Sequence, residues 1–187
     1  MAKTTIYLIR HGEAAQAWDE APDPILSKNG IQQAQNLAKK YVPILKKSDF
    51  QLLSSPLARA QQTATPFQEA LSSRIIINTN FAEIPSPGIA LADRRNWLKA
   101  LFGKTIAELE KPQLEWRNTI IQGVQSIEKN TLIFSHFMTI NAIIGWITNN
   151  KHVVNYYPNY CSITQIEKVE NQFIIKELGE ELTTIVQ

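Results

Sequence analysis

Short apolar runs alternate along this chain with longer stretches of helical period, and no other feature narrows the possible folds as much. Ile6 to Ile9 form the first run, Phe50 to Leu53 the second, RIIIN at 74–78 the third and TLIFS at 131–135 the fourth. Between the first two, LSKNGIQQAQNLAKKYVPIL places Ile31, Ala34, Leu37, Ala38 and Tyr41 on one stripe, with Ser27 as the N-cap. Ser55-Pro56 reads as a cap and first-turn proline opening a second helix that runs to about Leu71. Trp97, Leu98, Leu101 and Phe102 suggest a further helix, and Leu109 to Ile127 more helical structure broken near Pro112. Ile140, Ile143, Ile144 and Ile147 mark a helix after the fourth run. SITQIEKV and QFIIKEL, joined by Glu170-Asn171, then form a hairpin pattern. The expectation is a three-layer α/β/α fold with a mostly parallel central sheet and an antiparallel edge.

With 187 residues and 44% hydrophobic content, the chain reads as a single domain with enough apolar mass for its core. Residues 84–130, interrupted by Pro85, Pro87 and Pro112, read as a helical insertion. A net charge of +2 and no basic cluster interleaved with aromatics argue against a nucleic-acid or membrane partner. The apolar stretch from Ile140 to Ile147 is too short to span a bilayer, and the chain enters its first strand without a leader of signal-peptide form. The single cysteine, Cys161 in YYPNYCSI, fits a reducing compartment and a small buried role. A cytoplasmic protein is the expectation.

Ligands bind beyond the carboxyl ends of the strands in such sheets. There the first run delivers Arg10 and His11, the second leads into SSPLAR with Arg59, and the fourth ends at His136. Gly12 lets the backbone turn at once after His11. Two guanidiniums, two imidazoles and a helix N-terminus crowded together call for an anion, and a phosphate is the natural occupant.

RHGE at 10–13, DPILSKNGIQQA at 23–34, SSPLARAQQTA at 54–64 and SH at 135–136 resemble the histidine phosphatase superfamily, which includes the phosphoglycerate mutases. The likeness runs from Thr4 to about Ile147 and thins between Pro85 and Asn130. It implies that His11 is the nucleophile of a transient phosphohistidine, that Arg10, Arg59 and His136 hold the phosphoryl oxygens, and that Glu83 in FAEIPSPG is the proton donor. No metal or other cofactor is implied; the partner is a small phosphorylated substrate or a phosphoprotein. Glu13 would orient its loop or a basic neighbour.

The chain departs from the mutase pattern at Ala17, where an asparagine is common, and at Phe137, Met138 and Asn141 after the second histidine. Those residues would narrow the site and leave a second anionic group on the substrate without a partner, which favours a phosphatase over a mutase-type phosphotransferase. Residues 84–116, with Arg94, Arg95, Trp97, Lys99 and Trp116, are then the expected source of substrate choice. Two other readings stay open: a phosphate- or phosphopeptide-binding module without turnover, and a metallohydrolase using His11, Glu13, His136 and His152. The cations Arg10 and Arg59 disfavour the metal.

Overall fold

The computed structural model describes residues 3–182. Six strands form one sheet: β1 (Lys3–Arg10), β2 (Gln51–Ser54), β3 (Ile75–Ile77), β4 (Thr131–Ser135), β5 (Ile163–Val169) and β6 (Gln172–Glu177), in the order β3-β2-β4-β1-β5-β6. The first four in that order run parallel; β5 is antiparallel to β1, and β6 to β5. Five α-helices accompany them: α1 (Lys28–Leu45), α2 (Ala58–Leu71), α3 (Arg94–Leu101), α4 (Lys111–Gln125) and α5 (Phe137–Ile147).

The two-residue period of the strands sorts their side chains into two apolar layers. Ile6, Leu8, Leu53 and Ile133 face α4 and α5, meeting Ile120, Val124, Ile140 and Ile143. Ile9, Leu52, Leu132 and Phe134 face α1 and α2, meeting Ala34, Leu37, Ala64 and Phe67. The expected three layers and antiparallel edge are what the fold shows. A third apolar cluster joins α3 to the start of α5 and to Val153–Val154, through Leu101, Leu109, Phe137 and Met138. Among the described residues no helix is long and apolar enough to cross a membrane.

Several local expectations need correction. Ser27 does cap α1, accepting from Gly30 N–H at 2.9 Å, but Ile31 points outward and is 46% exposed. Helix α2 starts at Ala58 rather than at Pro56; its N-cap is Leu57, and both carboxylate oxygens of Asp23 accept from the Ala58 N–H. A long-range carboxylate does the work assigned to Ser55. Pro112 does not break a helix: it occupies the first turn of α4, where its missing N–H has no intrahelical partner to lose.

The carboxyl ends of β1, β2 and β4 are brought level by their pairing, with Arg10 opposite Ser135 and Ser54 opposite Phe134. His11 N–H continues the ladder to Ser135 O, and Ser55 N–H to Phe134 O. The turn after β1 packs tightly on the turn of α1. A Cβ on Gly12 would lie 2.7 Å from Gly30 O, and one on Gly30 would run into Glu13 O, so both positions require glycine.

Candidate active site

Arg10, at the end of β1, is buried and held on three sides. Its Nη1 donates to Pro158 O at 2.8 Å, and its guanidinium lies 4.2 Å from the Tyr160 ring centroid and 5.4 Å from that of Phe137. Burial lowers its pKa, opposed by the charges of Tyr160 and Glu83. The rings cover the cation without neutralising it, which leaves it available to an anion.

His11 follows directly. Its Nδ1 lies 2.7 Å from Gly12 O, which only accepts, so Nδ1 carries the proton and Nε2 the lone pair. That lone pair accepts from Arg59 Nε at 3.1 Å. Desolvation first, then Arg59 and Arg10, hold the imidazole well below the ordinary histidine value of 6.5. The ring is neutral, with Nε2 as its basic nitrogen.

Arg59, 4% exposed in the first turn of α2, has Nη1 3.8 Å from Asp23 Oδ1 and no hydrogen-bond partner for that nitrogen. Thr63, one turn on, ties α2 to the histidine loop: its Oγ1 donates to Arg59 O at 2.7 Å and accepts from Gly12 N–H at 3.0 Å.

His136, fully buried as the N-cap residue of α5, sits behind His11 with ring centroids 5.2 Å apart. Its Nε2 is 2.7 Å from Ser55 Oγ, which also accepts from Leu57 N–H. Its Nδ1 has no partner. Desolvation, Arg59, His11 and Arg10 keep its pKa well below 6.5, so this imidazole too is neutral while no anion is bound.

Glu83 lies after a single 3₁₀ turn, Thr79–Phe81, in a loop pinned from below. Ser135 Oγ donates to Phe81 O, Trp116 Nε1 and Thr139 Oγ1 both donate to Ala82 O, and Gln113 Nε2 donates to Pro85 O. Desolvation pushes the Glu83 carboxyl above its usual value, against the Ile84 N–H at 2.9 Å and the charge of Arg59. A raised carboxyl next to guanidiniums is equipped to hold and release a proton.

Arg10, His11, Arg59 and Glu83 all line one cavity of about 390 Å³. His136 does not reach its wall. Of the three residues expected to narrow the site, only Phe137 lines this cavity; Met138 is 1% exposed, and Asn141 is buried holding Asn155 and Tyr156 N–H groups. From the insertion, Arg95, Leu98, Lys99 and Phe102 line it. Trp97 and Trp116 instead pack in the third apolar cluster, and Arg94 lies over the Trp18 ring.

Glu13 serves its loop, its carboxylate accepting from Ser27 Oγ at 2.6 Å and Asn29 Nδ2 at 3.0 Å. His152 pairs with Thr105 in an isolated bridge. The four ligands of the metallohydrolase reading are therefore not assembled, and among the described residues no three His, Cys, Asp or Glu side chains form a metal-binding group. Cys161, buried behind Arg10, has its thiol pushed up to about 12 by desolvation, which removes it as a nucleophile. Thr63, Asp23, Ser55 and Trp116 are the supporting residues that sequence reasoning missed. Their roles are not legible there, although Asp23 lies inside DPILSKNGIQQA and Ser55 and Thr63 inside SSPLARAQQTA.

The family model described as histidine phosphatase superfamily (branch 1) matches residues 6–181. No curated protein matches the chain in sequence. Among solved structures, the Bacillus stearothermophilus protein YhfR is 22% identical with a TM-score of 0.74, covering 92% of this chain and 95% of that one. An Entamoeba histolytica phosphoserine phosphatase, in complex with 3-phosphoglyceric acid, is 21% identical with a TM-score of 0.71, covering 95% and 97%. A mycobacterial glucosyl-3-phosphoglycerate phosphatase is 16% identical with a TM-score of 0.69, covering 94% and 98%. At such identities the likeness is one of fold.

Proposed function

This chain belongs to the histidine phosphatase superfamily, and from that premise we propose that it hydrolyses phosphate monoesters, or a phosphoprotein, without a metal through a phosphohistidine on His11. One observation carries the reading: His11 donates through Nδ1 to Gly12 O, so its Nε2 lone pair faces Arg59 beside the cavity. Solved structures of similar fold are named for phosphoserine and glucosyl-3-phosphoglycerate as substrates, which supports a small ester.

Arriving phosphate oxygens take over the Arg59 N–H and so free His11 Nε2. The lone pair attacks phosphorus, the ester P–O bond breaks, and Glu83 gives its proton to the leaving oxygen. Arg10 and Arg59 stabilise the charge spread over the phosphoryl oxygens. His136 takes up a proton and its charge as the dianion enters. In the second half, Glu83 takes a proton from water, the water oxygen attacks phosphorus, and the P–N bond breaks to release phosphate and neutral His11. Hydrolysis is preferred to mutase-type transfer because Ala17, at the position where the mutases commonly carry an asparagine, lines the cavity and offers no side-chain donor to hold the phosphoryl group on the enzyme. In this reading the chain is one catalytic domain, and the insertion shapes its pocket.

Brief exposure to a labelled aryl phosphate, followed by denaturation, tests it. Acid-labile, base-stable phosphate should appear on the protein and be absent from His11→Ala. Turnover by His11→Ala within tenfold of the parent would overturn the assignment.

A further inference from the structure

Arg59 meets a negative charge from behind before any ligand arrives. Asp23 lies in the loop between β1 and α1; Pro24 beside it lines the cavity, whereas Asp23 stays off the wall. Both Asp23 carboxylate oxygens accept from the Ala58 N–H, at 2.9 and 3.2 Å, where α2 begins. Asp23 Oδ1 also stands 3.8 Å from Arg59 Nη1. That distance makes an ion pair but is too long for a hydrogen bond, and Nη1 has no hydrogen-bond partner among the described residues. One carboxylate therefore faces two positive features, the N-terminus of α2 and the guanidinium in its first turn. Arg59 Nε, for its part, donates to His11 Nε2 at 3.1 Å. The guanidinium is strung between the nucleophile and Asp23, so an anion arriving at His11 shares Arg59 with a carboxylate already in place.

We propose that Asp23 is a built-in counter-ion which, acting through Arg59, holds down the affinity of the site for phosphate and so helps the product leave. This rests on the phosphatase reading in one respect, that the phosphate end lies at His11 and Arg59. Two buried guanidiniums attract a phosphate dianion whether it is substrate or product. Attraction common to every bound state does not speed the chemical step, and it slows release. A fixed negative charge behind Arg59 subtracts from that common attraction. The Asp23 side chain is 41% exposed, so water and salt screen it and the effect is modest. Holding the start of α2 does not by itself require a charge, because an asparagine oxygen accepts the same hydrogen bond. Glu83 also opposes the lowering of the Arg59 pKa, but its own carboxyl is pushed up by burial and is needed as the acid. Asp23 is the carboxylate at Arg59 that is left free of the proton transfers.

Asp23→Asn keeps an acceptor for the Ala58 N–H and removes the charge. Dissociation constants for inorganic phosphate and vanadate, measured by calorimetry and so without turnover, should fall roughly three- to tenfold from the parent's. KM for a nitrophenyl phosphate should fall with them, while kcat does not rise. The difference should shrink in about 1 M salt, where charges are screened within roughly 3 Å, and again in an Arg59→Ala background. Asp23→Ala, which also removes the hydrogen-bond acceptor, should lower Tm yet still bind phosphate more tightly than the parent. Damage to the fold loosens a site, so tightening separates the charge from a structural role. Phosphate binding that is unchanged or weaker in Asp23→Asn would overturn the proposal and leave Asp23 a helix cap alone. Tighter phosphate binding by Asp23→Asn, with no ester turned over by the parent, would leave it standing and refute the phosphatase reading instead.

Discussion

At the scale of single residues, the site depends on two groups driven from their ordinary protonation. His11 is kept neutral by burial and by Arg59 and Arg10, and burial pushes Glu83 towards its protonated form. The pH profile follows from the signs. His11 with its pKa held well below 6.5 loses its lone pair only at low pH, so the acid limb of kcat/KM lies below 6.5. Glu83, raised above 4.5, must hold its proton for the first step, so activity falls as pH rises through its shifted value. A pH–rate profile should be bell-shaped, and Glu83→Gln should remove its alkaline limb. The same variant should lose rate most with alkyl phosphates and much less with a nitrophenyl phosphate, whose leaving group needs little protonation. General acid catalysis is worth on the order of 10²–10⁴-fold, so a leaving-group series resolves the difference. Equal losses across that series would make Glu83 structural. Arg59→Ala should weaken vanadate inhibition, since a charge-assisted hydrogen bond is worth roughly 1.5–3 kcal/mol. Inhibition constants equal to the parent's would place Arg59 outside the chemistry.

At the scale of elements, Glu83 is aimed by residues of α4 and α5 that lie outside the cavity. The loop carrying Glu83 hangs on Ala82 O, which accepts from Trp116 of α4 and Thr139 of α5, both at 2.9 Å. Combining Trp116→Phe with Thr139→Val leaves that carbonyl without either donor, at a stability cost of about 1–3 kcal/mol. Because the effect passes through Glu83, kcat with alkyl phosphates should drop while kcat with nitrophenyl phosphate holds. Urea unfolding alongside the two assays checks both parts, and a uniform loss would mean general unfolding. This also marks where sequence reading stops. Ser27 is legible because its Oγ caps a helix three residues away, and the strands are legible because their alternation is local. Ser55-Pro56 misleads because Asp23, 35 residues before Ala58, caps α2 and leaves Ser55 Oγ to His136. Ile31 misleads because its period places it at the edge of the inner stripe, whereas Gly30 must be the residue facing Glu13. Chemistry-bearing residues stand out in RHGE and SSPLARAQQTA; Trp116 carries no motif, and its role exists only once α4 lies over the loop.

At the scale of the whole molecule, the layers place Arg10, Arg59, His11 and His136 in one buried knot, and the fold must hold two guanidiniums there while no anion neutralises them. The two histidines yield by staying neutral. Their folded pKa values lie below 6.5 and their unfolded ones near it, so the unfolded chain binds more protons in the interval between. Stability then rises with pH through that interval and is lost as pH falls below about 6.5. Glu83 opposes this, since a raised pKa makes the folded state bind the extra proton above 4.5. Two histidines against one carboxyl leave a net loss on acidification, up to about 1.4 kcal/mol per pH unit for each uncompensated proton. A bound phosphate or vanadate changes the balance at its source, because it neutralises the guanidiniums whose charges depress both imidazoles. Occupancy at one hundred times Kd also adds about 2.7 kcal/mol by mass action alone. Melting curves from pH 7.5 to 5 should therefore show a falling Tm without anion, and a higher Tm with a shallower fall at saturating vanadate. His136→Asn should remove part of the acid sensitivity without anion, because one of the two depressed imidazoles is gone. A Tm that is flat with pH in the parent, or equally steep with and without vanadate, would mean that the knot does not govern the stability of the fold.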